Sequence, residues 1–252
     1  MIPSNFHTHT TYCDGKNTPR ELIEEAIKLG CREIGLSGHS YTFFDSDFCM
    51  SEENAKKYID EVRRLKTEYK DKIKVFLGTE HDIFSTYPRN DFDYCICSAH
   101  YVYKDGEYLC IDDTKELQEK IIAEHFDGDK YALAECYFEA LGRANELCDA
   151  KIIGHFDLIT KFNLFDTANQ RYEKAVDCAL ENLLKNNCIF EVNTGGMARG
   201  YRKDTYPERR IVEKIKKLGG RMIYTSDAHK KENLLFGLPE YDNYEVLKEL
   251  IG

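Results

Sequence analysis

Short apolar runs alternate along the chain with longer segments in which apolar residues recur at helical spacing. The short runs are rich in β-branched residues and predict strands, whereas the longer segments predict amphipathic helices. Such alternation is typical of βα units that build a parallel sheet. The predicted strands occupy residues 5–7, 33–37, 74–78, 94–98, 151–154, 188–192 and 222–225.

Capping residues mark the helix starts between these strands. Thr18 can cap a helix in which Pro19 takes the first position, and Ser51 precedes an acidic first turn. Seven βα units in 252 residues, without a glycine-rich phosphate loop after the first strand, favour a closed or nearly closed barrel over an open sheet. We expect one domain over residues 1–252. Further helices are predicted to begin near Thr114, Asp129, Asn169, Tyr206 and Tyr241.

Composition narrows the choice of compartment and partners. Hydrophobic residues make up 42% of the chain, and no apolar run is long enough to cross a bilayer, so we expect no membrane partner and no signal peptide. A net charge of −10, with lysines and arginines scattered along the chain, disfavours a nucleic-acid partner. The ten cysteines lie singly in apolar or helical settings, which indicates reduced thiols and a cytoplasmic protein. Oligomeric state leaves no sign in the sequence.

One cysteine pair needs separate interpretation. Cys95 and Cys97 lie in a strand-like run, where alternation places both sulfur atoms on one face. No second pair completes a zinc site, so we interpret them as packed core residues.

Histidines and carboxylates collect where predicted strands end. The carboxyl ends of parallel barrel strands open on one rim, so these side chains are expected to converge on a single site. His7 and His9 form an i, i+2 pair with both imidazoles on one side, which suits one metal ion. The other candidates at strand ends are His39, Glu80, His100, His155, Asp227 and His229.

The number and type of these side chains indicate a cluster of metal ions. Imidazole and carboxylate together suit zinc, iron or manganese, whereas magnesium and calcium take mostly oxygen ligands. Eight candidates exceed the three or four ligands that one zinc ion needs, so two or three divalent ions are expected, with Glu80 as the bridging carboxylate. Such a cluster can polarise a phosphoryl oxygen and activate water, which predicts hydrolysis without a protein nucleophile.

Several of these residues also have a purely structural interpretation. His100 and His155, each taken alone, could be core histidines, and Asp14 before Gly15 would ordinarily be a turn residue. His81 points away from Glu80 on an extended backbone, so we expect it to have a supporting or structural role. His125, in the middle of a predicted helix, is expected on the surface.

Taken in order, these motifs resemble those of the polymerase and histidinol phosphatase (PHP) superfamily along nearly the whole chain. The resemblance implies a distorted (β/α)7 TIM-like barrel of the α/β class, with a two- or three-metal site on its rim. The motifs that carry it are His7-Thr8-His9, Asp14-Gly15, Gly38-His39-Ser40, Gly78-Thr79-Glu80, Ser98-Ala99-His100, Gly154-His155-Phe156-Asp157 and Ser226-Asp227-Ala228-His229.

The resemblance also implies a set of ligands for each ion. One ion would be bound by His7, His9, Glu80 and Asp227, and a second by Glu80, His100 and His155. The third would be bound by Asp14, His39 and His229, although some relatives carry histidine at the position of Asp14.

A second stretch is similar to the branch of the superfamily that hydrolyses L-histidinol phosphate in histidine biosynthesis. It runs from Glu191 through Asn193 to Arg199 and continues with Tyr206-Pro207. This similarity implies a small phosphomonoester as the substrate.

Arg199 is the best candidate for a phosphate fork, and Lys161 is a weaker one. Arg199 could also be a solvated loop charge, and Arg202 could take its place. Glu80, Asp227, His229 and Arg199 are the expected catalytic residues, and Asp227 or His229 would serve the leaving oxygen. The loop at residues 41–48 offers either aromatic walls and a carboxylate to a cationic substrate or a lid that packs on itself.

Three other functions use some of the same features. A PHP-type phosphoesterase with a different small substrate or nucleotide would share the metal ligands, although the acidic composition disfavours an exonuclease. A metal-dependent amidohydrolase would be expected to supply a lysine where this chain has Glu80. A non-catalytic metal-binding module would be expected to lack some of the ligands, and this sequence retains them all.

Overall fold

A computed structural model describes residues 4–251 of the chain. The strands are β1 (Ser4–Asn5), β2 (Glu33–Leu36), β3 (Lys74–Asp82), β4 (Tyr94–Ser98), β5 (Tyr101–Lys104), β6 (Glu107–Cys110), β7 (Ile152–Ile153), β8 (Ile189–Asn193) and β9 (Arg221–Thr225). Seven of them are parallel and form one sheet in the order β1-β2-β3-β4-β7-β8-β9. The pairing of β8 with β9, for example, runs from Ile189 opposite Arg221 to Asn193 opposite Thr225.

The sheet curls until its first and last strands meet. A parallel bridge joins Thr8 to Ala228 just beyond the ends of β1 and β9. The His9 N–H donates to the Ala228 carbonyl at 2.9 Å, and the Ala228 N–H donates to the His7 carbonyl at 3.1 Å. The predicted nearly closed seven-stranded barrel is therefore confirmed. Its closure brings the first site motif of the chain next to the last one.

Helices cover the outside of the barrel, and five of them have their N-cap at a predicted start. Thr18 accepts a hydrogen bond from the Glu21 N–H in a complete capping box, and Ser51 accepts one from the Asn54 N–H. The helices are α1 (Pro19–Lys28), α2 (Glu52–Glu68), α3 (Lys115–His125), α4 (Lys130–Gly142), α5 (Ala144–Cys148), α6 (Gln170–Lys185), α7 (Gly195–Ala198), α8 (Arg209–Lys217) and α9 (Asn243–Ile251).

The barrel interior changes from apolar to polar along the strands. Phe76, Ile96, Ile189 and Ile223 pack together inside the barrel with Leu247 of α9. Polar side chains take the interior positions further along the same strands, because alternate residues of a strand share a face. The apolar half stabilises the fold by burial, and the polar half is left free for chemistry.

Three features of the fold were not predicted. β5 and β6 form an antiparallel hairpin after β4, which sequence analysis overlooked. Its turn is Asp105-Gly106, with φ angles of 53° and 90°, and such Asp-Gly pairs favour tight hairpin turns. The short helices α5 and α7 were also missed, since one turn of helix has too few residues to show periodicity. Finally, α8 and α9 begin two or more residues after their predicted starts at Tyr206 and Tyr241.

The cysteines match their predicted reduced state. All ten are free thiols, and none forms a disulfide. Cys97 is fully buried in the core between barrel and helices, while Cys95 is half-buried. Among residues 4–251, no helix is both long and apolar enough to span a membrane.

Candidate metal centre

Four donor atoms converge where β1, β3 and β9 open on the rim. The Nε2 atom of His7 lies 3.1 Å from Glu80 Oε2, and that of His9 lies 3.0 Å from Asp227 Oδ1. The remaining cross distances are 3.5 Å from His9 to Glu80 and 3.7 Å from His7 to Asp227. Zinc bonds of 2.0–2.1 Å in a tetrahedral sphere place ligand atoms about 3.3 Å apart, so these four nitrogen-to-oxygen distances suit one ion. Of the four residues, His7, His9 and Glu80 have ligand atoms that all lie within 4.8 Å of one another.

The hydrogen bonding of these atoms supports the same conclusion. His7 Nε2, His9 Nε2 and Asp227 Oδ1 are buried and have no hydrogen-bond partner among the described residues. Buried polar atoms are nearly always paired in folded proteins. These three ligand atoms lack hydrogen-bond partners and lie close together, so a cation bound between them would satisfy all three.

Glu80 extends the cluster through its second oxygen. Its Oε1 atom lies 2.8 Å from His155 Nε2 and 3.4 Å from His100 Nε2, and it accepts a hydrogen bond of 2.7 Å from Ser98. On the other side, Glu80 Oε2 lies 3.0 Å from His39 Nδ1. The carboxylate stands between two groups of imidazoles, which is the position that a bridging ligand requires.

Asp14 forms the centre of a third group. Its Oδ2 atom lies 3.0 Å from His229 Nε2, and its Oδ1 atom lies 3.3 Å from His9 Nδ1 and 4.0 Å from His39 Nε2. Asp14 lies in a turn, and Gly15 lets this turn press against His9, where a Cβ atom on Gly15 would come within 2.4 Å of the backbone. This group contains His9 as well as the three residues that the family resemblance implies.

Two carboxylates that sequence analysis did not single out as site residues hold the imidazoles in place. The His7 Nδ1–H donates to Glu191 Oε1 at 2.5 Å, which turns Nε2 towards the cluster. Asp82 accepts a hydrogen bond of 3.0 Å from the His100 N–H, and its Oδ2 lies 3.5 Å from His100 Nδ1. The sequence could have indicated Glu191, because it is a carboxylate at an interior position of β8, two residues after buried Ile189.

The histidines and carboxylates of the cluster strongly affect one another's pKa values. Burial opposes protonation of His7, but the carboxylates of Glu191, Glu80 and Asp227 outweigh it and raise the pKa of His7 to about 10. Burial also opposes ionisation of Glu80, yet the surrounding histidines hold its pKa well below the usual value. The carboxylates are therefore ionised and ready to bind cations.

The cluster lies at one end of a cavity of about 470 Å³. Phe48, from the loop at residues 41–48, packs edge-on against the His39 ring with 4.7 Å between centroids. The same loop also packs on the β5–β6 hairpin, since Phe44 stacks on Tyr108 at 4.0 Å and Asp45 accepts a hydrogen bond of 2.5 Å from Tyr101. The loop thus forms an aromatic wall and is anchored as well.

The basic side chains near the cavity differ in their partners. Arg199 donates to Asp227 Oδ2 and to His229 Nδ1, each at 2.8 Å, so it lies beside the metal ligands. Lys161 also lines the cavity, but it donates to the backbone carbonyl of Asp112 and lies 3.5 Å from that carboxylate. Arg202 is half-buried and pairs with Asp157 at 3.3 Å, whereas Arg199 contacts the cluster.

The other two histidines lie outside the cluster, as expected. His81 Nε2 donates to the Ser85 carbonyl at 3.1 Å, and His81 Nδ1 accepts from Ser40 at the same distance. His125 ends α3 and is half-buried, so its predicted place on the surface in the middle of a helix was wrong; its Nε2 is 3.9 Å from Glu107. The rim therefore gathers six of the eight histidines in the chain.

Known proteins share both sequence and fold with this chain. The histidinol-phosphatase of Bacillus subtilis (strain 168) is 26% identical over 255 residues, covering 91% of this chain and 94% of the relative. A candidate histidinol phosphatase, HisK from Listeria monocytogenes, has a TM-score of 0.79 at 20% identity, covering 97% of this chain and 99% of its own.

A third protein was solved with ligands. The histidinol phosphate phosphatase of Lactococcus lactis subsp. lactis Il1403, complexed with zinc, L-histidinol and phosphate, has a TM-score of 0.68 at 20% identity, covering 98% of this chain and 92% of its own. At this level of identity, the two structures establish a common fold. The family model of the PHP domain matches residues 5–195, which is well over half of the sequence. The chain therefore belongs to the PHP domain family.

Proposed function

We propose that the protein is a histidinol-phosphate phosphatase, which hydrolyses L-histidinol phosphate to L-histidinol and phosphate in histidine biosynthesis. The observation that carries the proposal is the histidine and carboxylate cluster with unpaired buried donor atoms at the end of an open cavity. The names of the Bacillus and Lactococcus relatives support the choice of substrate. The whole chain acts as one catalytic domain in this proposal.

Three groups of side chains would bind two or three divalent ions. His7, His9, Glu80 and Asp227 form the first group, Glu80 with His100 and His155 the second, and Asp14 with His39 and His229 the third. Zinc is the first candidate, because the ligand atoms suit it and the Lactococcus relative was crystallised with it. Bound ions supply positive charge to the phosphoryl group and lower the pKa of coordinated water.

Arg199 is the proposed phosphate-binding residue of the chain itself. Its guanidinium has five N–H groups, and the contacts to Asp227 and His229 use two of them. The remaining N–H groups can donate to a phosphoryl oxygen, which holds the phosphorus atom beside the cluster and offsets charge that grows in the transition state. Asp227 and His229 lie beside the same guanidinium and are the candidates that serve the leaving oxygen.

The rest of the cavity suits a substrate with a cationic end. Asp45, Asp47, Asp112 and Asp113 line it together with the ring of Phe48. L-Histidinol phosphate carries an ammonium group and an imidazole besides its phosphate. Carboxylates attract the ammonium group, and the aromatic ring offers a surface on which the imidazole can pack. A simple anionic sugar phosphate would gain nothing from these carboxylates.

The test is phosphate release from L-histidinol phosphate and from a panel of other phosphomonoesters, with protein of counted metal content. We expect kcat/KM for histidinol phosphate to exceed that for the other esters by about a hundredfold or more. Equal turnover across the panel would contradict the substrate assignment and leave the metal chemistry standing.

Variants test the cluster itself. Glu80→Gln should lose metal and reduce kcat by about a thousandfold or more, because the bound charge is worth several kcal/mol in the transition state. His9→Ala should behave in the same way. His125→Ala is the matched control, since this histidine lies on α3 away from the cluster, and it should keep normal metal content and activity. Full activity in Glu80→Gln would refute the scheme.

A further inference from the structure

Two buried tyrosines have hydroxyl groups without a partner. Among the described residues, neither the Tyr206 nor the Tyr172 hydroxyl finds a hydrogen-bond partner. Both side chains are almost fully buried, with exposed fractions of 1% and 0%. A buried hydroxyl that lacks a partner costs free energy unless a ligand or water pairs with it. The two residues differ in what surrounds them.

The Tyr206 ring is clamped in one orientation. Its backbone N–H donates to the Asn193 carbonyl at 2.9 Å, and its carbonyl accepts from the Asn193 N–H at 2.7 Å. The guanidinium of Arg202 lies over the ring, 4.3 Å from its centroid. Gly196 also packs tightly on the ring, since a Cβ atom there would come within 2.4 Å of Tyr206 Cε2. The hydroxyl is therefore held in a fixed place rather than free to seek a partner.

The Tyr206 side chain lies beside the proposed metal ligand His155 and shares a cavity with Arg199. Tyr206 lines the same cavity as Arg199 and Asp227, and its ring centroid lies 6.4 Å from that of His155. Tyr172, in contrast, packs among aromatic rings of the helix layer, with its centroid 5.3 Å from that of Phe138, and it does not line the cavity.

We propose that the Tyr206 hydroxyl donates a hydrogen bond to a non-bridging phosphoryl oxygen of the bound phosphomonoester. The inference rests on the proposed phosphatase function and adds a neutral donor to the charged one of Arg199. Because Tyr206 lies near the proposed metal ligands, we assign its hydroxyl to the phosphoryl group of the substrate rather than to the cationic end. Burial raises the pKa of Tyr206 above its ordinary value, so the hydroxyl keeps its proton and remains a donor.

The experiment compares Tyr206→Phe with Tyr172→Phe in zinc-loaded protein. Each change removes one unpaired buried hydroxyl and keeps the ring, so Tyr172→Phe is the matched control. Three quantities are measured: the dissociation constant of inorganic phosphate, kcat/KM for histidinol phosphate, and the unfolding midpoint of metal-free protein. Phosphate is the probe because it presents the same oxygen atoms without the organic part.

Tyr206→Phe should weaken phosphate binding and lower kcat/KM, each by about tenfold to a hundredfold, as expected for a hydrogen bond to a charged group. Its unfolding midpoint should stay the same or rise, because the folded protein loses no internal hydrogen bond. Tyr172→Phe should leave phosphate affinity and kcat/KM unchanged.

Two outcomes would overturn the inference. If Tyr206→Phe binds phosphate as tightly as the wild type, the hydroxyl has no phosphoryl partner, and a lower unfolding midpoint would then assign it to an internal water. If both variants weaken phosphate binding equally, the effect comes from packing. Failure of the proposed substrate is distinguishable, because wild-type protein that binds phosphate but leaves histidinol phosphate intact still permits the comparison of phosphate affinities.

Discussion

Replacing Glu191 by glutamine tests whether the centre depends on residues behind its ligands. Glu191 Oε1 accepts hydrogen bonds from His7 Nδ1–H and from the Thr225 hydroxyl, both at 2.5 Å. Oε2 accepts from the His155 N–H at 2.7 Å and from the Asn193 side chain at 3.0 Å. All four partners donate to Glu191. Both of its oxygen atoms therefore act only as acceptors, as those of an ionised carboxylate do.

Glutamine has nearly the same shape but only one accepting end. Whichever way it turns, its NH₂ group faces two donors, either at the His7 end or at the His155 end. At the first end the His7 imidazole loses the acceptor that orients it, and at the second end the backbone N–H of His155 loses its acceptor. Loss of such a supporting partner costs about tenfold to a hundredfold in metal affinity, or about 1.4 to 2.7 kcal/mol. We expect zinc affinity to fall within this range and kcat to fall with it.

Zinc affinity is measured by competition with a chromophoric chelator at constant pH, and kcat is measured on protein saturated with metal. Thr225→Val is the matched control, because it removes one donor to the same carboxylate and leaves His7 in place. It should change zinc affinity much less than Glu191→Gln does. Wild-type zinc affinity in Glu191→Gln would refute the reasoning, and equal losses in the two variants would assign the effect to packing in general.

Three further predictions concern protonation and phosphate binding. Burial lowers the pKa of His81 from 6.5 to about 4, so below pH 6.5 the unfolded chain binds a proton that the native protein does not. The free energy of unfolding should therefore decrease as pH falls from 6.5 to 4, by on the order of 3 kcal/mol, and denaturant titrations of metal-free His81→Gln should lose this part of the slope. Because the pKa of His7 is about 10 in the metal-free protein, zinc binding at pH 7 should release its proton, and calorimetric enthalpies that do not vary with the ionisation enthalpy of the buffer would contradict this. Arg199→Ala should lower kcat/KM by about tenfold to a hundredfold. Lys161→Ala should lower it much less, because Lys161 already pairs with Asp112. Steady-state kinetics measure both variants, and a larger loss in Lys161→Ala would exchange the two roles.

The cluster also explains why metal and stability should be linked in this protein. His7, Glu80, Glu191 and Asp227 are all buried at the rim. In the metal-free protein, a proton on His7 offsets part of their negative charge, whereas bound cations offset more of it. Ligands that bind only the native state stabilise it, so metal removal should lower the unfolding midpoint of the wild type.

The sequence by itself determined the architecture and most of the cluster. Alternation of apolar runs with helical periodicity indicated the seven barrel strands, because each strand must bury both faces and each helix only one. Capping residues such as Thr18 and Ser51 marked helix starts, since these side chains satisfy backbone N–H groups locally. The positions of histidines at strand ends were enough to bring them together, because parallel strands all open on one rim.

Tertiary structure alone decided which side chains support the site and how each is used. The sequence marks Glu191 as a carboxylate at an interior strand position, but its partner His7 lies far away in the chain. The surroundings of the Tyr206 hydroxyl likewise arise only in the folded protein. The sequence favoured Arg199 over Lys161, but only the structure shows that Arg199 contacts the metal ligand Asp227 and that Lys161 contacts Asp112. Local sequence encodes backbone preference and periodicity, whereas distances between side chains, burial and charge coupling arise only when the barrel closes.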